Sequence, residues 1–192
     1  MSDITGSIGS IGRKNSTVGN KYAPVIGDDK PFDPLPIFDL WSAPEMFLFG
    51  ADYYAENIPK RTEGSWLCWD KRKDSQADAI GAEFELCWSK AKHKRRMLRH
   101  DWFGFLSSAN GSDARNRQHP TQKPASLIAD ILNQWTPKGC VVTDPFLGSG
   151  TTMVACENLQ RKCRGIEISP DYCAVILERM ATAFPALAIE RA

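Results

Sequence analysis

The sequence predicts an α/β domain built on a doubly wound sheet, and three features carry that expectation. The first is Val141-Val142-Thr143-Asp144-Pro145-Phe146-Leu147-Gly148-Ser149-Gly150-Thr151-Thr152, a β-branched run, a Gly-x-Gly turn and a helix start in direct succession. The second is Arg164-Gly165-Ile166-Glu167-Ile168, a short strand bearing a carboxylate a little over twenty residues beyond Asp144. The third is a set of aromatic-rich apolar stretches, 46–50, 64–71 and 82–90, with breakers between them. Strand, glycine turn and helix form half of a nucleotide-binding crevice, whose ligand lies outside the carboxyl end of the strand. At 192 residues the chain suits one domain with a real core.

Taken in chain order, residues 1–20 are rich in Gly and Ser with scattered Ile and Val, which predicts a flexible segment. Beyond Lys21 to Pro34, the three apolar stretches follow as strands. From Lys90 to His100 the chain carries six Lys/Arg in eleven residues, then Trp102 and Phe103, then a Gly/Ser/Asn-rich loop from Ser107 to Gln118. His119-Pro120-Thr121-Gln122-Lys123-Pro124 is an extended segment, because its prolines stop a helix from crossing it. Leu127, Ile128, Ile131 and Leu132 recur at helical spacing behind it. The β-branched run at 141 predicts a buried strand ending at Asp144, and a helix follows over Thr151–Leu159. Arg161 and Lys162 suit the negative end of that helix. Ser169-Pro170-Asp171 marks another helix start, with Ser at the N-cap and Pro at the first position.

The turn itself excludes some ligands. A dinucleotide fingerprint needs a third glycine where Met153 stands, and a triphosphate loop needs a lysine after Gly150, which is followed by Thr151. The glycines let backbone N–H groups come close to a ligand and tolerate positive φ. Taken alone, Gly-x-Gly also fits a plain strand-to-helix turn. Glu167 read alone fits a surface carboxylate after a strand, and the proline segment a rigid loop before a helix.

The longer string Asp-Pro-Phe-x-Gly-Ser-Gly-Thr-Thr is more specific. It resembles motif I of the S-adenosylmethionine-dependent DNA amino-methyltransferases, which methylate adenine N6 or cytosine N4. His119–Pro124 resembles motif X of the same family, Lys21 to Pro34 resembles the loop that follows its catalytic strand, and motif X directly before motif I resembles the permuted β-class order. The resemblance implies a class I methyltransferase-like (Rossmann-like) sheet and S-adenosyl-L-methionine lying over the turn from Phe146 through Gly148 and Gly150 to Thr151. It further implies Glu167 on the ribose hydroxyls, Thr121 and Lys123 near the methionine carboxylate, and Asp144 orienting the turn. Double-stranded DNA is the implied partner. The basic segment, with Lys92, Lys94, Arg95, Arg96, Arg115 and Arg117, is the expected DNA-facing region, since Lys and Arg at this density neutralise backbone phosphates. A solvated charged loop is the plain alternative. The implied organisation is a flexible segment 1–20 and a partial methyltransferase domain 21–192. Within the domain, 39–90 forms the catalytic side, 91–118 the basic loop and 119–192 the cofactor half.

The family's catalytic Asp/Asn/Ser-Pro-Pro-Tyr/Phe string, which receives an extruded base, has no counterpart here. Asp33-Pro34-Leu35-Pro36 lacks the pattern, and Asp144-Pro145-Phe146 already belongs to motif I. No catalytic residue is therefore assigned. The expectation is a sheet lacking its central fourth strand, in a chain truncated relative to a complete methyltransferase. A non-catalytic module that binds S-adenosylmethionine or DNA, paired with another chain or a second copy that supplies the strand, is one alternative. An unrelated α/β enzyme using the same turn for another nucleotide is a second.

A net charge of +1 excludes a strongly basic protein, so any nucleic-acid surface must be local. The six cysteines (68, 87, 140, 156, 163 and 173) show no Cys-x-x-Cys spacing and no Cys/His cluster, so no metal site is expected. Reduced thiols, no secretory leader and no apolar run of membrane length make a cytoplasmic location the expectation, with no membrane partner.

Overall fold

A computed structural model describes residues 25–27, 29–72, 82–100 and 122–188. The segment expected to be flexible (1–20), Trp102, Phe103, the Ser107–Gln118 loop with Arg115 and Arg117, and Thr121 lie outside the described residues. The elements in order are α1 (Leu35–Leu40), β1 (Phe47–Phe49), a 3₁₀ helix (Ala51–Asn57), β2 (Ser65–Asp70), β3 (Phe84–Ser89), β4 (Met97–Arg99), α2 (Ala125–Trp135), β5 (Val141–Asp144), α3 (Thr151–Asn158), β6 (Lys162–Gly165) and α4 (Pro170–Ala183). This is an α/β chain, with strands in two separate sheets: a four-stranded sheet in the order β1-β3-β2-β4 and a parallel pair, β5-β6.

The centre of the larger sheet is buried on both faces. β2 alternates between faces, as a strand must. Ser65, Leu67 and Trp69 are buried on one side, and Trp66 is registered against Trp88 on the other. Trp69 and Leu98 pack with Leu127 and Ile131 of α2, while Trp88 packs with Ala51 and Ile58 under Phe38, Leu48, Tyr54 and Trp66. Helices therefore lie on both sides of the sheet, which accounts for the aromatic density of these strands. β3 runs antiparallel to β1 and β2, whereas β4 runs parallel to β2.

The smaller sheet departs from the expectation of a buried central strand. Val141 is 51% exposed, and burial along β5 never goes beyond intermediate. Among the described residues β5 pairs only with β6, so no further strand pairs with its other edge. The second strand of this pair also ends earlier than the sequence suggests, at Gly165. The Ile166 N–H still donates to the Asp144 carbonyl (2.9 Å), but the Ile166 carbonyl turns to accept from Leu147 N–H (3.0 Å). Glu167 thus lies two residues past the strand.

Arg161 also differs from expectation. Its guanidinium reaches back to α2, where it donates to the carbonyls of Leu132 (3.1 Å) and Pro137 (3.1 Å), to Asn133 Oδ1 (3.4 Å) and to Thr136 Oγ1. It therefore serves the end of α2 and not that of its own helix. The Leu132 carbonyl also accepts from the Thr136 N–H at 3.1 Å, so the guanidinium adds a charged donor at the negative end of the α2 dipole. Ser169 caps α4 as expected, accepting from Tyr172 N–H at 3.4 Å.

Candidate cofactor crevice and basic cleft

The glycine turn at the carboxyl end of β5 is built by polar contacts from four directions. Asp144 Oδ1 accepts from Phe146 N–H (2.9 Å) and Oδ2 accepts from the Thr152 hydroxyl (2.6 Å), which ties the strand end to the first turn of α3. Gly150 takes φ 79° at the N-cap of α3 and Gly148 takes φ 56°, a region costly for other residues. A Cβ on Gly165 would meet Leu147 Cδ2 at 2.4 Å, so any larger residue there has to displace the Leu147 side chain. Glu167 closes the turn from the side. Its two oxygens accept from Gly148 N–H (2.7 Å) and Ser169 N–H (2.8 Å).

Two further residues hold the underside. Ser149 donates to Gln122 Oε1 at 3.1 Å, joining the turn to the proline segment ahead of α2. Arg179 of α4 donates to the Ser149 carbonyl (2.9 Å) and the Thr151 hydroxyl (3.2 Å). Neither Gln122 nor Arg179 was singled out by sequence, although both left signals. Gln122 stands inside the proline motif. Arg179 follows Tyr172 and Ile176 at helical spacing, on the same buried stripe as Met180, where an apolar residue is the ordinary choice.

Phe146 stays 63% exposed at the mouth of the turn, edge-on to Phe32 with centroids 5.5 Å apart, and Phe32 is in turn edge-on to Tyr54 at 4.9 Å. Burial pushes the Tyr54 hydroxyl up to about 12, with Cys87 and Asp52 adding to the rise, and it donates to the Phe49 carbonyl at 3.2 Å. Lys123, expected beside a carboxylate ligand, has a carboxylate already: its ammonium lies 3.6 Å from Glu85 and 4.8 Å from the centre of the Phe49 ring. Glu85 also pairs with Lys71 at 2.6 Å. Burial raises the Glu85 carboxyl, but Lys123 and Lys71 outweigh it and hold the group below its ordinary range.

These contacts fix which residues share an end of the molecule. The start of α2 sits beside Glu85 and the glycine turn, through Lys123 and Gln122. Its end, Trp135, packs on Phe47 and His93 at the opposite, amino end of β1 and β2. Asp144, Phe146, Gly148, Gly150, Thr151, Glu167 and Lys123 are therefore gathered at one end, together with Phe32 and Tyr54. Of the basic residues, Lys92 and Arg95 are at the other end, where they line an open cleft of about 420 Å³ with Arg61, Thr62, Gly64, Ser65, Trp66 and His93. Lys94 is exposed, and Arg96 donates to Gln134 Oε1 at 2.8 Å. β4 then returns the chain to the crevice end, with Arg99 opposite Asp70.

Among the described residues, no group of three His, Cys, Asp or Glu side chains is disposed to hold a metal ion, and no helix is long and apolar enough to cross a membrane. All six cysteines are free.

Residues 20–178 match the family model described as DNA methylase of the N6/N4 type. The chain is 39% identical over 71 residues to the type II methyltransferase M.HpaI of Haemophilus parainfluenzae, covering 36% of this chain and 23% of that protein. It is 29% identical over 114 residues to the type II methyltransferase M2.DpnII of Streptococcus pneumoniae, covering 59% and 41% respectively. It thus spans less than half the length of either relative. Among solved structures, the M1.HpyAVI–SAM complex aligns at 26% identity over 71% of this chain and 74% of that one, with a TM-score of 0.48.

Proposed function

The chain belongs to the N6/N4 DNA methylase family, and on that premise we propose that its glycine-turn crevice binds S-adenosyl-L-methionine for methylation of the exocyclic amine of adenine or cytosine in double-stranded DNA. The observation that carries this reading is the paired use of Glu167 and the glycine turn. Glu167 accepts one backbone N–H on each oxygen, and a carboxylate has further acceptor sites on each, enough for two vicinal ribose hydroxyls. The donor set fits the cofactor: an acidic residue for ribose, a turn without a phosphate-facing lysine, an exposed aromatic ring, and a lysine for a carboxylate.

In this proposal Gly148 and Gly150 bring backbone N–H groups close to the ligand, and Phe146 offers a flat apolar face. Asp144 fixes the turn through Phe146 and Thr152. Lys123, with Thr121, faces the methionine carboxylate, which competes with Glu85 for the ammonium. When bound, the cofactor supplies a methyl group on a sulfonium, a strong leaving centre, so the chain has to position the amine and needs no acid/base relay. The DNA assignment extends to Lys92, Lys94, Arg95, Arg96, Arg115 and Arg117, and the domain organisation to a cofactor half over 119–192. The test is transfer of a radiolabelled methyl group to unmethylated duplex DNA by the purified chain, with cofactor binding measured alongside. Binding with transfer supports the full proposal. Loss of binding when Glu167→Ala and Gly148→Asp are introduced supports the site. Binding that survives both variants overturns it.

A second reading is favoured by the open edge of β5 among the described residues: a strand from a second copy or a partner chain completes the sheet, and the catalytic group arrives with it. Sedimentation of the purified chain tests this, because a chain that stays monomeric at micromolar concentration has no second copy in the slot.

A further inference from the structure

We infer that Glu85 and Lys71 form a carboxylate-exchange device that makes the crevice selective for ligands bearing a free carboxylate, which rests on the S-adenosylmethionine reading above. Three charged side chains from separate parts of the chain meet at the crevice end: Glu85 of β3, Lys71 directly after β2, and Lys123 ahead of α2. Each Glu85 oxygen faces one ammonium, Oε1 at 2.6 Å from Lys71 Nζ and Oε2 at 3.6 Å from Lys123 Nζ. The first distance is a charge-assisted hydrogen bond, and the second is longer than a hydrogen bond, so Lys123 is the looser partner. Lys71 lies over the Trp69 ring at 5.1 Å from its centre, as Lys123 lies over Phe49.

The charge count carries the inference. Two ammoniums share one carboxylate, and the neighbouring acids are committed elsewhere: Glu83 pairs with Arg72 at 2.8 Å, and Asp70 with Arg72 at 3.4 Å. Among the ion pairs of the described residues, the cluster therefore holds one unmatched positive charge and accommodates a second carboxylate. All three side chains are half-buried, where an acid stripped of its partner is costly. With Lys123 as its sole partner, Glu85 would resist giving it up. Lys71 removes that obstacle, because Glu85 stays paired when Lys123 swings to a ligand. A ligand without a carboxylate offers Lys123 nothing in return for Glu85, and the lysine stays where it is. Selectivity thus arises from competition inside the protein as well as from attraction to the ligand.

The experiment is calorimetric titration of the purified chain with two probes, S-adenosylmethionine and its decarboxylated form, which differs only in lacking the carboxylate. The proteins are the native chain, Glu85→Gln, Lys71→Met, the double variant, and the control Glu63→Gln, which removes an exposed acid near the opposite end of the sheet. Circular dichroism checks that each is folded. Glu85→Gln is expected to bind S-adenosylmethionine about three- to fivefold more tightly, the scale of one partly exposed ion pair, with the decarboxylated probe and the control unchanged. Lys71→Met should weaken S-adenosylmethionine by a similar factor, because Glu85 then depends on Lys123 alone. The double variant should return to the affinity of Glu85→Gln, a rescue that a purely structural role of Lys71 does not produce. Unchanged or weaker binding by Glu85→Gln, equal changes for both probes, or a double variant as weak as Lys71→Met overturns the exchange. Failure of the S-adenosylmethionine reading is a different result: the native chain then binds neither probe.

Discussion

The four-stranded sheet and the β5–β6 pair are held together by different forces. The first is sandwiched between helices, with Trp69, Trp88 and Leu67 at most 2% exposed. The second leaves Val141, Ile166 and Ile168 more than half exposed and is fixed by polar contacts around its turn. Burial of an aromatic side chain contributes several kcal/mol where a net hydrogen bond contributes about 1. The consequence is a packed platform carrying a glycine turn whose shape depends on a few named polar groups. Low-stability segments are where ligand-binding elements are commonly found.

The largest way to break the contrast is Trp69→Ala, which should cost about 3–5 kcal/mol by cavity formation and be read as a fall in the denaturant midpoint. Arg161→Ala comes next. It strips buried, charge-assisted bonds from the end of α2, worth about 1.5–3 kcal/mol in total, and the adjacent, exposed Lys162→Ala should change the midpoint little. Third, Gly150→Ala places a Cβ 3.2 Å from Ile176 in a left-handed conformation, with an expected loss of about 1 kcal/mol and a weaker cofactor site. The smallest effect sharpens the electrostatics. The Glu85 carboxyl is held below its unfolded value, so its contribution is present above the unfolded pKa and is lost as pH falls through the lower, folded value. Glu85→Gln should therefore lower the neutral plateau slightly and flatten the acid limb of the stability–pH curve, the native and variant curves converging at low pH. Hydrogen exchange compares the two sheets directly, with β2 and β3 amides expected to outlast those of β5 and β6.

Much of this was legible where local rules decide. The strand–glycine–helix unit, Ser169 and Pro170 opening α4, and the three aromatic strands follow from periodicity and capping chemistry. Other features required long-range facts. α1 begins between prolines that read as a loop, although proline is tolerated in the first helical turn. β4 is three residues inside a charged run, and only Leu98 is buried. The partner of Arg161 lies more than twenty residues upstream, and its role as a cap for another helix has no local signature. The order of the two ends is likewise tertiary: the basic run is continuous in sequence, but β4 reverses the chain and leaves Lys92 and Arg95 opposite the crevice.

The account rests on Glu167 and the glycine turn acting together as a cofactor site. Calorimetric titration of S-adenosylmethionine into the native chain and into Glu167→Gln, each verified as folded, tests it most directly. The expected result is measurable binding to the native chain and at least tenfold weaker binding to the variant, since the amide loses charge and acceptor capacity toward the ribose. Equal affinity in the two proteins would contradict the assignment of Glu167 and, with it, the crevice.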